Sequence, residues 1–356
     1  MSDIITPFLK SLLDIPGLSG YEKPASDLIA EKWRPLVDEI TTSTLGSLHG
    51  IRRASGSGKA PRILIATHMD AIGLQVTKLE HGLLRFTEVG GVDPRILPGQ
   101  AVTVHGHKNL PGIVQLMPDR LLESKEAGKA PDFKTLFVDV GLPEKEVQKL
   151  IQPGDLISFA QKPFEMSGGY VAGHSLDNRA SAAALTICLE ELKTTALSWD
   201  IYAVATVKEE VSGIGALTSA FAVRPDIAVT IDVTFAKGPG ASDYRTFPLE
   251  KGISIGIGAN IHPVLHDAFI KLAREMDLPY GIEIMPRSSG TDSMLMQIVA
   301  EGIPNIVLGI PIRYMHTSTE LVALNDIYRA GRLLARFISQ LKSDSNKTLF
   351  EKFANE

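Results

Sequence analysis

The 356-residue sequence predicts an α/β fold: a mixed, mostly parallel sheet sandwiched by helices, with a small β-rich domain of barrel- or PDZ-like type inserted into it. Three observations predict this. Four runs, "RILIAT", "IYAVATV", "DIAVTI" and "NIVLGIPI", are apolar throughout rather than alternating, as strands covered on both faces must be. Stretches with helical spacing, such as "SAAALTICLEELKTT" and "VLHDAFIKLAREMDL", lie between them. From about residue 72 to residue 162 the pattern changes to short alternating runs rich in Gly and Pro, without long helical stretches.

In chain order, Leu9, Leu12 and Leu13 give the opening residues helical spacing, and "YEKPASDLIAEKWRPLV" reads as a second helix. "RILIAT" is the first buried strand. "IGLQVTKLEHGLLRFTEVGGV" alternates and turns like a hairpin, and "QAVTVHGHKNLPGIVQLM" and "LFVDVG" read as further short strands. The polar segment "DRLLESKEAGKAPDF" reads as a mobile loop. Near "GGYVAGHSLDNRAS" the chain returns to the larger domain, so residues 1–71 and 163–356 form one domain and 72–162 the insertion. The last residues, "SDSNKTLFEKFANE", are expected to fray.

Composition excludes several functions. A formal charge of −5 leaves no basic footprint for nucleic acid or an anionic membrane. The first residues lack a basic segment and a cleavage site, and no apolar run reaches the ~18 to 20 residues of a membrane helix, so a cytoplasmic protein is expected. The single cysteine, Cys188, agrees with a reducing compartment.

The four apolar runs share a second property. Each is closely followed by, or ends in, histidine or acid: His68 and Asp70, Glu209 and Glu210, Asp232, and His316. Open α/β sheets gather functional groups just past the carboxyl ends of strands. Asp177 in "GHSLDNRAS" completes the set. Two imidazoles with several carboxylates and no thiolate suit Zn²⁺ or Co²⁺, and two ions sharing one carboxylate would supply the positive charge that two adjacent glutamates require. Successive side chains on extended backbone point oppositely, so Glu209 and Glu210 should take different roles, one on metal and one on the proton. Residues two apart share a face, which makes Asp70 a partner for the ring nitrogen of His68 that faces away from metal. A lone histidine is more often a solvated or hydrogen-bonded residue, and His49, His81, His105, His107, His262 and His266 are read that way.

The motifs "THMDAIG", "LDNRAS", "KEEVSGIGA", "IDVT" and "SSGTDSMLMQIVAEGIPNIVLGIPIRYMH", in this order, resemble the dinuclear-metal aminopeptidases that assemble into tetrahedral particles. Members include glutamyl, leucyl, lysyl and deblocking aminopeptidases, and some carry the label endoglucanase. The resemblance covers nearly the whole chain. It implies that His68 and Asp232 hold one ion, Glu210 and His316 the other, and Asp177 both. Glu209 would be the general base toward a metal-bridging water, and Asp70 the residue that orients His68. It further implies a cis peptide between Asp177 and Asn178, hydrolysis of the N-terminal residue from peptides, and dimers through the insertion that build a dodecamer. Ala71 and Ser212 depart from the family pattern, where Glu and Gly are common, and leave the preferred N-terminal residue open. Two alternatives are an endoglucanase, which would need two carboxyl groups flanking one glycosidic bond and no metal, and a non-catalytic metal-binding scaffold.

Overall fold

A computed structural model describes residues 2–56, 58–121 and 130–345. Most of the segment read as a mobile loop and most of the tail expected to fray lie outside these residues. Helices α1 (Ser2–Leu13) and α2 (Lys23–Trp33) precede strands β1 (Glu39–Thr42), β2 (Leu48–Arg52) and β3 (Arg62–His68). Next come β4 (Gly73–Glu80), β5 (Leu83–Val89), β6 (Ala101–His105), β7 (Asn109–Leu116), β8 (Leu136–Asp139), α3 (Glu144–Leu150) and β9 (Leu156–Phe159). The chain continues through β10 (Phe164–Met166), β11 (Tyr170–Gly173), α4 (Leu176–Leu192), β12 (Asp200–Thr206), α5 (Ile214–Val223) and β13 (Ile227–Phe235). It closes with β14 (Ile253–Gly258), α6 (Pro263–Glu275), β15 (Tyr280–Met285), α7 (Ser293–Met296), β16 (Asn305–Arg313), β17 (Glu320–Ala323) and α8 (Leu324–Gln340).

The four apolar runs are adjacent in space. They form the parallel centre β12-β3-β13-β16 of an 11-stranded mixed sheet, extended by antiparallel pairings on both flanks. Both faces of that centre are buried, which explains the missing alternation. Ile63 and Ile65 pack into a core shared with α1, α2, α4, α6 and α8, while Leu64 and Ala66 pack against α5 and the residues around α7. All four side chains are fully buried. This is the architecture expected from the sequence.

Strands β4 to β9 close into a barrel, in the order β4-β5-β8-β7-β6-β9, around a core of its own that includes Leu74, Val104, Val138 and Ile157. Closure leaves no unpaired sheet edge. No helix among the described residues is long and apolar enough to cross a membrane.

Helix α4 is buried almost along its length and packs on α8. The two approach closely at Gly331. A β-carbon there would lie 2.5 Å from the Ala184 carbonyl oxygen and 2.8 Å from the Ile187 β-carbon, far inside normal contact. Alanine favours a helix over glycine by up to ~1 kcal/mol, but overpacking costs about 1–3 kcal/mol, and here the obstacle is backbone, so overpacking wins. Gly331→Ala should therefore lower the urea midpoint with an unchanged m value. A midpoint equal to or above that of the parent would show that the helices separate freely.

Candidate metal centre

Parallel pairing determines which side chains meet. Thr206 of β12 lies opposite His68, and Thr230 of β13 lies opposite Ala66, so Asp232 stands level with His68. Asp232 sits inside its strand rather than past its end, because β13 runs on to Phe235. Glu209 and Glu210 follow β12 in a turn that Lys208 enters with φ 60°. Their separation therefore comes from turn geometry and not from the alternation of an extended strand. His316, with φ 62°, lies beyond the end of β16, and Asp177 lies in the first turn of α4, where its peptide bond to Asn178 is cis.

All seven residues singled out in the sequence come together. His68 is buried, with Nε2 3.1 Å from Asp177 Oδ1, 3.8 Å from Asp232 Oδ1 and 3.9 Å from Glu209 Oε2. His316 Nε2 is 3.3 Å from Asp177 Oδ2 and 3.5 Å from Glu210 Oε2. The two oxygens of Asp177 thus face different histidines. Two groups result, His68 with Asp177 and Asp232, and His316 with Asp177 and Glu210, each with donor atoms inside 4.8 Å of one another. Ligand atoms about 2.1 Å from a shared tetrahedral ion are themselves about 3.4 Å apart, and the His–carboxylate separations match.

The electrostatics fit the same reading. Burial and the crowding of neighbouring carboxylates push Glu210 and Asp232 well above the usual acid range. Burial likewise pushes Glu209 up to about 7. Burial disfavours the charged form of Asp177 too, yet its hydrogen bonds with His316 and His68 outweigh this and hold its pKa down. Burial also opposes the His68 imidazolium, but Asp177 and Asp70 raise it well above normal. Glu210 Oε1 is buried with no hydrogen-bond partner. A carboxylate oxygen left without a donor among acids is costly unless a cation sits there. The residues fit two divalent ions.

Asp70 differs from its expected setting, since β3 ends at His68 and the face-sharing argument does not reach it. Its carboxylate is 3.4 Å from His68 Nδ1, and it also accepts from the Ser19 hydroxyl at 2.6 Å and from the backbone N–H groups of Glu209 and Glu210 at 3.0 and 3.2 Å. Asp70 therefore ties the imidazole to the turn that carries both glutamates.

Three buried acids escaped the sequence reading. Glu320 accepts from the N–H of Asp177 through Oε2 and from that of His316 through Oε1, both at 3.0 Å, so one carboxylate holds the Asp177 and His316 segments together. Asp292 accepts from Thr206 Oγ1 at 2.5 Å, and burial beside Glu209 pushes it up to about 8. Glu22 accepts from the N–H of Lys208 at 3.2 Å, under the same turn. The available signal for Glu320 was an acid four residues after His316. Among the described residues, none of the six histidines set aside belongs to a group that could hold an ion. His105 instead bridges Asn109 and Ser158. The centre opens into a cavity of about 560 Å³ that Ser212 lines and Ala71 does not.

Comparison with known proteins follows the same lines. Residues 48–333 match the model of the M42 glutamyl aminopeptidase family. The chain is 34% identical to the lysyl aminopeptidase of Pyrococcus furiosus over 94% of this chain and 96% of that protein. A TET aminopeptidase from a marine sediment archaeon of the Thaumarchaeota superposes with a TM-score of 0.92 at 28% identity, covering 98% of this chain and 99% of that one. The TET1 peptidase of Pyrococcus horikoshii, described as able to assemble into a tetrahedron or a large octahedral shell, superposes with a TM-score of 0.82 at 27% identity over 95% and 100%.

Proposed function

The chain belongs to the M42 glutamyl aminopeptidase family, and from that premise we propose how its residues remove the N-terminal residue of a peptide. His68 and Asp232 would hold one divalent ion and His316 and Glu210 a second, with Asp177 contributing to both, and Zn²⁺ or Co²⁺ would suit this nitrogen and oxygen set. The observation that carries the reading is Asp177, whose two oxygens each face a different histidine. When bound, the ions supply Lewis acidity toward the scissile carbonyl and the attacking water. Glu209 takes the water proton on its carboxylate and returns it to the nitrogen of the departing amine. Asp70 keeps the His68 ring turned so that Nε2 faces the centre, and Glu320 keeps the Asp177 and His316 backbones at their spacing.

The glycosidase and scaffold alternatives are not favoured. A glycosidase acid and base need no imidazole, whereas Glu209 and Glu210 each lie within 4 Å of one. A scaffold would not need Glu209 at the open face of the centre. The proposal extends to a cytoplasmic enzyme, with buried Cys188 kept as a thiol, and to a dodecamer built from dimers through the barrel.

One preparation tests the reading. Light scattering should give a mass many times that of the 38.5 kDa chain, and an aminoacyl-p-nitroanilide should be cleaved while its N-acetylated form is not. Chelator should abolish turnover and added Zn²⁺ or Co²⁺ restore it. Carboxymethylcellulose hydrolysis that persisted in chelator, without aminoacyl cleavage, would replace the peptidase reading. A stable monomer would remove the assembly.

A further inference from the structure

Strand β15 is built inside out. Along "YGIEIM" the isoleucines Ile282 and Ile284 are exposed, while Glu283 between them is turned inward and lines the cavity of the metal centre. A strand with one buried face ordinarily turns its apolar residues in and its charges out. Something inside must justify the reversal.

The Glu283 carboxylate accepts from Thr234 Oγ1 at 2.7 Å through Oε1 and from Ser254 Oγ at 2.5 Å through Oε2. Two hydroxyl donors satisfy only part of a carboxylate's capacity of about four acceptor sites. Burial pushes the group upward and the two hydroxyls pull it back. Among the described residues, no lysine or arginine lines this cavity. The room around Glu283 depends on Gly309, where a β-carbon would stand 3.0 Å from Glu283 Oε2.

Position gives the group a role. Thr234 is two residues beyond Asp232 in β13 and shares its face, a step of about 6.6 Å along the strand. The five bonds from the α-carbon of a lysine to its ammonium span roughly 6 Å. The same cavity is lined by Met294 and Leu295, apolar walls suited to a methylene stem that carries a charged tip. An acidic N-terminal side chain would instead meet like charge.

We propose that this cavity receives a cationic N-terminal side chain, lysine or arginine, with Glu283 as its counter-charge. The proposal rests on the aminopeptidase reading and adds the class of peptide it takes.

The test compares lysyl-, norleucyl- and glutamyl-p-nitroanilide on the metal-loaded enzyme, norleucine being lysine without the ammonium. The lysyl substrate should lead in kcat/KM, and Glu283→Gln should lower the lysyl-to-norleucyl ratio about 100-fold, the effect expected when one partner of a buried charge pair is removed. A parent enzyme that prefers the norleucyl or glutamyl substrate would overturn the proposal. So would a variant that slows all three alike, which marks a structural role. Calorimetry with lysinol and norleucinol, amino alcohols that have no amide to hydrolyse, gives an answer without turnover. Lysinol should bind the parent more tightly, and Glu283→Gln should remove the difference. Equal binding of the two amino alcohols by the parent refutes the subsite. If the parent cleaved no aminoacyl substrate, the aminopeptidase reading would fall, while the calorimetry would still decide on Glu283.

Discussion

Glu209→Gln should lower kcat on an unblocked aminoacyl-p-nitroanilide by about 10²- to 10⁴-fold, the range lost with a general base, and leave the metal content unchanged. The reason is where the carboxylate stands. It is beside His68 at 3.9 Å and lines the open cavity, yet it belongs to neither group of donor atoms that could hold an ion. Glutamine keeps the volume and the turn, because the turn is held through backbone N–H groups on Asp70. It cannot accept the water proton. Elemental analysis alongside kinetics separates this outcome from loss of metal. A variant within tenfold of the parent, or one depleted of metal, would show that Glu209 is not the base.

Asp177→Asn should instead remove both ions. Asparagine preserves the backbone N–H that Glu320 accepts, so the local fold is retained. It replaces one of the two anionic oxygens by an amide, and those oxygens face different histidines. Each site loses charge at once, and affinity for both ions should fall at least about 100-fold, the upper end of what indirect changes around a metal site cost. Titration of the metal-free protein with Co²⁺, followed by its visible absorption, reads this directly. Retention of one tight site would mean that Asp177 serves a single ion.

The sheet could be read from the sequence because its centre is buried on both faces: "RILIAT" holds four consecutive apolar residues, Ile63 to Ala66, where a half-buried strand would alternate, so its burial is written in composition. His68, Glu209, Glu210 and His316 were legible because a polar side chain at the end of a buried apolar run is desolvated at a cost unless a partner meets it there. Asp232 was found for a related reason, although it lies within β13 rather than after it. The local geometry was less accessible. Alternation fails for Asp70 and for the glutamate pair because both lie where the strand has already ended, and turn dihedrals such as that of Lys208 decide their directions. Glu320 and Asp292 look like ordinary polar residues, since their burial is created by segments far away in sequence. Glu283 misleads outright. Alternation in "YGIEIM" would place the isoleucines inside and the acid in solvent, and only the packing of β15 on β14 and the cavity behind it reverse that.

The Glu320 carboxylate, which accepts from Asp177 and His316, has a consequence for the order in which the enzyme is made. Glu320 lies 252 positions after His68. At about 5–20 residues per second a ribosome needs roughly 13 to 50 s to travel between them. His68, Asp177 and Asp232 are all made within it, whereas His316 and the carboxylate that holds its backbone come at its very end. The second group of donors, His316 with Asp177 and Glu210, is thus completed only as the last strands of the sheet are made, so the two halves of the centre are finished at different times.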